Sequence, residues 1–283
     1  MILVFGKTGQ VARHLAAEPR VVTLGRDVAD LSDPTACAEA IHRHKPRAVI
    51  NAAAWTAVDK AETDEAAATV INGDAPAAMA EACAALRIPF VHISTDYVFD
   101  GAGTLPFAPD DPTGPLGAYG RSKLAGEIGV RAARGAHAIL RTSWVFSAHG
   151  TNFVTTMLRL GAERPELRVV ADQVGGPTPA DAIARACILI AEGLIMDPSR
   201  SGTYHFSGAP DTSWAGFARA IMAAAQLPCQ ITDIATADYP TPARRPLNSR
   251  LNCHDLHRAF GIERPDWRAA LGPIVTQITE QTA

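Results

Sequence analysis

Two side chains with complementary chemistry, Tyr119 and Lys123, lie four residues apart at the start of a segment rich in Ala, Leu and Glu. On a helix this spacing places both side chains on one face. Upstream, the apolar run 89–93 leads into Ser94 and Thr95. A hydride delivered to a ketone leaves an alkoxide that needs a proton, so a site for this reaction needs an acid close to the carbonyl oxygen. We therefore interpret Tyr119 as a proton donor, and Thr95, or Ser94 beside it, as the hydroxyl that polarises the carbonyl.

Lys123 is expected to make Tyr119 a better acid. The reference pKa of tyrosine is about 10. A lysine ammonium about 5 Å away, at an effective dielectric of about 20, favours tyrosinate by roughly 3 kcal/mol, or about two pKa units. Taken alone, the pair fits a tyrosine that packs on its own helix beside an exposed lysine. The glycine turn near the N-terminus and the position of Thr95 at a strand end favour the catalytic interpretation.

A glycine-rich turn follows the first apolar run, residues 1–6, and precedes an Ala/Leu-rich segment. Gly6 and Gly9 stand where a strand, a tight turn and a helix follow one another, with Ala12 at the third position of the motif. In this context the backbone can approach a pyrophosphate, and the helix N-terminus offers free N–H groups. The turn therefore predicts a dinucleotide site, with a glycine turn that binds no ligand as the alternative.

The second predicted strand, 20–25, is followed directly by Arg26. Folds that bind NAD usually have an acid at this point for the ribose hydroxyls, whereas an arginine suits a 2′-phosphate. Arg26 therefore favours NADPH as the cofactor, and NADH stays open because Asp27 and Asp30 are close by. Asp30 could also stand in a turn before the next helix.

Short apolar runs alternate with helical segments over the first two thirds of the chain, which predicts an α/β fold with a Rossmann-type, doubly wound parallel sheet. The predicted strands are 1–6, 20–25, 48–54, 89–93, 138–146 and 202–207, and the clearest later helices are 152–160 and 180–193, with a turn at 172–179. After residue 209 the alternation weakens and proline increases. We expect a dinucleotide-binding domain over 1–150, rejoined by 175–208, and a smaller, interwoven and mainly substrate-binding domain within 151–283.

The composition sets limits on partners and location. A net charge of −3 over 283 residues gives no electrostatic grip on nucleic acid. The apolar runs are too short for a spanning helix, and the N-terminus lacks the pattern of a signal peptide, so we expect no membrane partner and a cytoplasmic protein. Five cysteines show no metal-ligand or redox spacing, so we predict no metal site and a reducing compartment.

Six segments form a recognisable set: Gly6-Lys-Thr-Gly-Gln-Val11, Asn51-Ala-Ala-Ala-Trp-Thr-Ala-Val-Asp-Lys-Ala-Glu62, Ser94-Thr-Asp-Tyr-Val-Phe-Asp-Gly101, Tyr119-Gly-Arg-Ser-Lys123, Arg141-Thr-Ser-Trp-Val-Phe146 and Tyr239-Pro-Thr-Pro-Ala-Arg-Arg-Pro-Leu-Asn-Ser-Arg250. Over nearly the whole chain the sequence resembles the extended short-chain dehydrogenase/reductases, and within them the dTDP-4-dehydrorhamnose reductase family. The glycine turn and Tyr-x-x-x-Lys are common to the superfamily, whereas the other four segments resemble this family specifically.

The resemblance implies roles for individual residues. Tyr119 would donate the proton, Lys123 would hold the nicotinamide ribose and tune Tyr119, and Thr95 would stabilise the reacting oxygen. The implied cofactor contacts, beyond Gly6, Arg26, Tyr119 and Lys123, are Gly9, Gln10 and Val11 at the pyrophosphate, Asp30 and Leu31 at the adenosine, and Ala54, Trp55 and Thr56 at the middle. The implied sugar contacts are Thr95, Asp96 and Trp144. Arg244 and Arg245 would either clamp the substrate diphosphate or pair with surface carboxylates.

The resemblance also implies a reaction: NAD(P)H-dependent reduction of the 4-keto group of dTDP-4-dehydro-β-L-rhamnose to dTDP-L-rhamnose, the last step of that nucleotide sugar's synthesis. Mg²⁺ enters only because some members of the family are described with it, and a homodimer stays open. Two alternatives remain at this point. One is a nucleotide-sugar epimerase of the same superfamily, and the other is a non-catalytic, dinucleotide-binding regulatory subunit.

Overall fold

A six-stranded parallel sheet forms the centre of the protein in the computed structural model, which describes residues 1–282. Across the sheet the strands are Gly202–His205, His137–Thr142, Phe90–Thr95, Ala48–Asn51, Ile2–Phe5 and Val21–Leu24. Successive side chains of a strand point to opposite faces. Accordingly, Ile2 and Val4 pack into one buried core while Leu3 and Phe5 pack into the other. The predicted α/β class with a doubly wound parallel sheet is confirmed.

Helices cover both faces of this sheet, as a sheet buried on both sides requires. One face carries Gln10–Leu15, Ala180–Met196 and His254–Phe260. The other carries Pro34–His44, Ala75–Leu86 and Ala118–Ala132. Three shorter helices connect the strand Ala48–Asn51 to this second layer. They are Val58–Ala61, Glu65–Thr69 and the π-helix Val70–Asp74. The last of these packs on Ala118–Ala132, the helix that carries Tyr119.

The remaining elements form a third hydrophobic core beside the carboxyl ends of the strands. It is built on Phe146, Phe217 and Trp267. Its helices are Phe153–Glu163, Trp214–Ala224 and Trp267–Thr282. Its strands are Glu166–Val170 paired with Gln230–Ile234, and Val174–Gly175 between Thr212–Ser213 and Asn248–Ser249, while Val145–Phe146 pairs with Thr178–Pro179. Single 3-10 turns occur at Asp96–Val98, Pro198–Arg200 and Thr236–Asp238.

Two predictions about local structure are wrong. The predicted strand 138–146 is interrupted at Ser143 and Trp144, because Trp144 takes a left-handed backbone conformation with φ 48°. The predicted turn 172–179 holds two short strands instead. Within residues 1–282, no helix combines the length and apolar character needed to cross a membrane.

Candidate active site

A cavity of about 790 Å³ opens at the carboxyl ends of the parallel strands. Open parallel sheets bind ligands at this edge. The cavity brings together most of the residues predicted from the sequence: Gly6, Gly9, Gln10, Val11, Arg26, Asp30, Leu31, Ala54, Thr56, Thr95, Asp96, Tyr119, Lys123 and Trp144. These residues come from five of the six strand ends or the segments that follow them. The parallel sheet therefore gathers groups that are far apart in the chain.

Three predicted residues are not among those that line the cavity: Trp55, Arg244 and Arg245. The Trp55 indole donates to the Ala57 carbonyl at 3.1 Å. Arg244 is exposed, and Arg245 donates to Asp59 Oδ2 at 2.8 Å. Of the two uses left open for these arginines, Arg245 therefore makes the contact with a carboxylate.

The glycine turn forms the floor at one end of the cavity. Gly6 has φ +114°, a conformation that side chains disfavour, and a Cβ there would lie 3.3 Å from the backbone of Ala52. Gly9 precedes the helix Gln10–Leu15, and no side chain caps that helix end. The Gln10 amide oxygen accepts from the Ser147 hydroxyl at 2.9 Å, which ties the turn to the segment after Trp144. The turn is thus open backbone facing a cavity, as a pyrophosphate cradle requires.

Tyr119 lies in the first turn of the helix Ala118–Ala132. The carboxylate of Glu62 accepts from the Ala118 N–H at 2.9 Å and so supplies a cap for this helix from another segment. Burial raises the pKa of Tyr119 to about 12, with the Thr95 hydroxyl opposing the shift. The ring of Tyr97 meets the Tyr119 ring edge-on at 5.5 Å.

Lys123 lies one turn further along the same helix and is 2% exposed. Its amine donates to the Ile93 carbonyl at 2.7 Å and lies 3.3 Å from His92 Nε2. Burial lowers the pKa of Lys123 to about 8, and the carboxylate of Glu127 opposes this. The expectation that Lys123 lowers the pKa of Tyr119 is wrong for this structure. Burial dominates the Tyr119 pKa, and the lysine amine is held by the strand instead.

The wall beside Tyr119 carries two polar atoms without a partner. Thr95 donates to Asp96 Oδ1 at 3.1 Å. The other carboxylate oxygen of Asp96 and the hydroxyl of Thr142 are buried and have no hydrogen-bond partner in the part of the chain that the structure describes. Burial raises the pKa of Asp96 to about 6, with the hydroxyls of Ser249 and Thr95 opposing it. Buried polar groups are nearly always bonded, so this wall is suited to a polar ligand.

The Ser94 hydroxyl is not available to polarise a carbonyl, because it donates to a buried ion pair. Arg141 donates to Glu127 through two nitrogens, at 2.8 and 2.7 Å, and the Ser94 hydroxyl donates to the same carboxylate at 2.7 Å. Burial raises the pKa of Glu127, but the hydrogen bond and charge of Arg141 outweigh it and the net pKa is lowered. Of the two hydroxyls left open by the sequence, Ser94 is therefore committed to Glu127, whereas Thr95 lies beside Tyr119.

Asn72 joins the segment at Trp55 to the helix that carries Tyr119, and it is not among the residues predicted from the sequence. Its amide oxygen accepts from the Trp55 N–H at 2.8 Å, and its amide nitrogen donates to the Trp55 carbonyl at 3.1 Å and to Ser122 Oγ at 3.0 Å. Ser122 in turn donates to the Tyr119 carbonyl at 2.8 Å. The helix approaches so closely that a Cβ on Gly126 would lie 2.1 Å from the Asn72 carbonyl oxygen. The signal was an Asn-Gly pair within a helical stretch, where π-turns mark functional sites.

Three further residues at the site are not predicted from the sequence: Trp214, His92 and Asn51. Trp214 lies against Trp144 from the third core, and His92 and Asn51 lie beneath Lys123. A histidine inside an apolar strand was the available signal for His92. Within residues 1–282, no group of three or more His, Cys, Asp or Glu side chains is placed to hold a metal ion, so no residue is assigned to Mg²⁺.

Comparison with known proteins identifies the family of the chain. A family model described as the RmlD substrate binding domain matches residues 1–280. A dTDP-4-dehydrorhamnose reductase of Burkholderia thailandensis is 48% identical, with 99% of each chain covered. The crystal structure of a dTDP-4-dehydrorhamnose reductase from Clostridium acetobutylicum is 34% identical, with a TM-score of 0.91 over 98% of this chain and 99% of that one. A Bacillus anthracis dTDP-4-dehydrorhamnose reductase, solved in complex with NADP, is 31% identical, with a TM-score of 0.89 over 98% of each chain. The chain therefore belongs to the RmlD substrate binding domain family, which it matches over almost its full length.

Proposed function

We propose that this protein reduces the 4-keto group of dTDP-4-dehydro-β-L-rhamnose to give dTDP-L-rhamnose, the last step in the synthesis of that nucleotide sugar, with NADPH as the cofactor. The observation that carries the proposal is the meeting of three features in one cavity. These are an open glycine turn at Gly6, the buried Tyr119–Lys123 helix face, and the unpartnered oxygen of Asp96. The names of the relatives at 45% and 48% identity support the substrate.

The residues at the glycine turn fit a dinucleotide. A side chain at Gly6 would close the cradle, and the cavity continues from there past Arg26, Asp30 and Leu31. The Arg26 side chain is 83% exposed and lies 3.9 Å from Asp30, so its guanidinium remains available for a 2′-phosphate. The NADP complex of the Bacillus anthracis relative supports this preference. When bound, the reduced nicotinamide supplies the hydride.

Tyr119 gives the proton that the carbonyl oxygen needs as it becomes a hydroxyl. The backbone that carries its phenol is held by two hydrogen bonds. Glu62 accepts from the Ala118 N–H, and the Ser122 hydroxyl donates to the backbone carbonyl of Tyr119. Thr95 lies beside the phenol, and its hydroxyl turns from Asp96 to donate a hydrogen bond to the same oxygen. Lys123, one turn away on the same helix face, lines the cavity and is placed to hold the nicotinamide ribose.

The sugar faces Asp96 and Trp144. The unpartnered Asp96 oxygen and the Thr142 hydroxyl are two hydrogen-bonding groups that a sugar with several hydroxyls can satisfy. Trp144 offers an aromatic surface beside them. The division of labour predicted from the sequence is part of the proposal: residues 1–150 and 175–208 hold the cofactor, and 151–283 mainly cover the sugar.

The test is the absorbance of the reduced nicotinamide on addition of dTDP-4-dehydro-β-L-rhamnose, with NADPH and NADH in parallel. The proposal expects consumption of cofactor and the appearance of dTDP-L-rhamnose, faster with NADPH. An epimerase would interconvert sugars with no net consumption, and a regulatory subunit would bind NADPH without turnover. Either result would overturn the proposal.

A further inference from the structure

The Lys123 amine lies within hydrogen-bond distance of a buried histidine, His92, to which the sequence assigned no role. His92 lies within the central strand Phe90–Thr95 and is 0% exposed. Its Nε2 is 3.3 Å from the Lys123 amine, and its Nδ1 is 3.2 Å from the amide nitrogen of Asn51. The three side chains therefore form a continuous buried row, Asn51–His92–Lys123, and its two end residues, Asn51 and Lys123, line the cavity.

The row fixes which ring nitrogen of His92 carries the proton. The Asn51 amide oxygen accepts from the Ala53 N–H at 3.1 Å, so its NH₂ group faces His92. An amide NH₂ group can only donate, and Nδ1 must therefore accept. Burial, followed by the nearby charge of Lys123, lowers the pKa of His92 well below its usual value and keeps the ring neutral. The single ring proton of His92 is consequently on Nε2, which points at Lys123.

An N–H group facing a lysine distinguishes the two forms of the amine. A neutral amine has a lone pair that can accept from Nε2–H, whereas an ammonium has three donors and no acceptor. We propose that His92, with its tautomer fixed by Asn51, is a positioning residue that holds the Lys123 amine at the cavity and favours release of its proton. The role of Lys123 in turnover rests on the proposed function, but the contact with His92 does not.

Other groups also act on Lys123. Burial pushes its pKa in the same direction as His92, to about 8, while Glu127 on the same helix opposes the shift. Glu127 is itself neutralised by its paired contact with Arg141. Tyr119 and Asp96 line the cavity into which Lys123 opens. His92 faces the amine from the strand at hydrogen-bond distance, so its removal isolates its contribution.

The composition makes a direct measurement practical. The chain has four lysines, Lys7, Lys45, Lys60 and Lys123, and the first three are exposed. NMR of protein labelled with ¹³C at lysine Cε gives one buried resonance, assigned by its loss in Lys123→Met. Its shift followed against pH gives the protonation midpoint of Lys123. ¹⁵N spectra of the histidine rings report the tautomer of His92.

Two variants remove the donor that faces Lys123. His92→Phe keeps a ring of similar size, and His92→Asn keeps an oxygen near the position of Nδ1 to accept from Asn51. In both, we expect the Lys123 midpoint to rise by about 0.5 to 1 pH unit, the worth of one neutral hydrogen bond. If His92→Phe does not fold, His92→Asn still decides the question. The matched control is His205→Phe. His205 is a second fully buried histidine, and it contacts Arg141 and the Phe107 carbonyl.

The parent protein should show a protonated Nε2 and a bare Nδ1 on His92. A proton on Nδ1, or a Lys123 midpoint that stays unchanged or falls in both variants, would overturn the proposal. A rise of equal size in His205→Phe would also overturn it, because the effect would then not depend on a contact with the Lys123 amine. These NMR readouts need no sugar turnover, so they can fail or succeed independently of the proposed reaction. With turnover, the alkaline limb of kcat should move with the midpoint.

Discussion

The indole of Trp144 lies flat on the indole of Trp214, with ring centroids 3.6 Å apart and planes 12° from parallel. Trp144 follows the strand His137–Thr142 of the main sheet, whereas Trp214 begins a helix of the third core. Trp214 is fixed in turn by its N–H, which donates to the Gln173 side chain at 3.2 Å. On the other side, a Cβ on Gly175 would come within 2.9 Å of the Trp144 ring. The stack therefore joins the segment after the strand His137–Thr142 to the third hydrophobic core.

Replacement of Trp214 should weaken sugar-nucleotide binding although Trp214 does not line the cavity. A stacked aromatic pair contributes about 0.5–1.5 kcal/mol, so Trp214→Ala should raise KM for the sugar nucleotide about 2- to 12-fold. The Kd for NADPH should stay unchanged. Loss of the circular dichroism that stacked indoles produce would report the broken pair directly. Trp214→Phe is the control that retains an aromatic partner, and equal losses in both variants would contradict this role.

Replacement of Tyr119 should remove turnover while leaving the cofactor bound. General acid catalysis contributes about 10²- to 10⁴-fold, so Tyr119→Phe should lower kcat by that factor. NADPH binding, measured by fluorescence, should be nearly unchanged. Tyr97→Phe is the matched control, since that ring contacts Tyr119 at 5.5 Å without the proposed role. If Tyr97→Phe loses as much activity as Tyr119→Phe, the acid is wrongly assigned.

Replacement of Arg26 should act on NADPH and leave NADH almost unaffected. Arg26→Ala should raise KM for NADPH by about tenfold at low salt, because it removes a charge-assisted contact with the 2′-phosphate. The increase should be smaller at high salt, which screens this contact. Arg20→Ala is the control, because Arg20 precedes the same strand and pairs with Glu192. Parallel increases of KM for both cofactors would show that Arg26 does not recognise the 2′-phosphate.

Asp96 should make the protein less stable as pH rises. Its pKa in the folded protein, about 6, lies above the reference value of 3.8. The folded state therefore binds this proton more tightly, and the associated stability is fully present below about pH 3.8 and is lost as pH rises through about 6. Two pKa units correspond to about 3 kcal/mol as an upper value. Asp96→Asn should thus raise the free energy of unfolding at pH 8 and weaken sugar binding.

Urea unfolding near pH 4 and near pH 8 separates this effect from a general one, since the difference between Asp96→Asn and the parent should nearly vanish at the lower pH. A parent protein that is more stable than Asp96→Asn at pH 8 would contradict the prediction. The expected exchange of stability for binding is common at functional sites.

The local pattern of the sequence determined the scaffold of the site. Apolar runs predicted the strands that carry Gly6 and Thr95, the glycine spacing predicted the turn, and the four-residue spacing placed Tyr119 and Lys123 on one helix face. Each of these features depends on neighbours within one strand or one or two helical turns, and the periodicity of the chain contains that information.

Tertiary structure alone decided the partners and the charges. His92 is 41 residues from Asn51, and Arg245 is 186 residues from Asp59. No local spacing could show that Trp214 would stack on Trp144. The pKa of Tyr119 rises because the folded chain excludes water from the ring, and the four-residue spacing to Lys123 contains no information about that burial. Desolvation and side-chain contacts depend on which distant segments meet, and only the packed structure determines that.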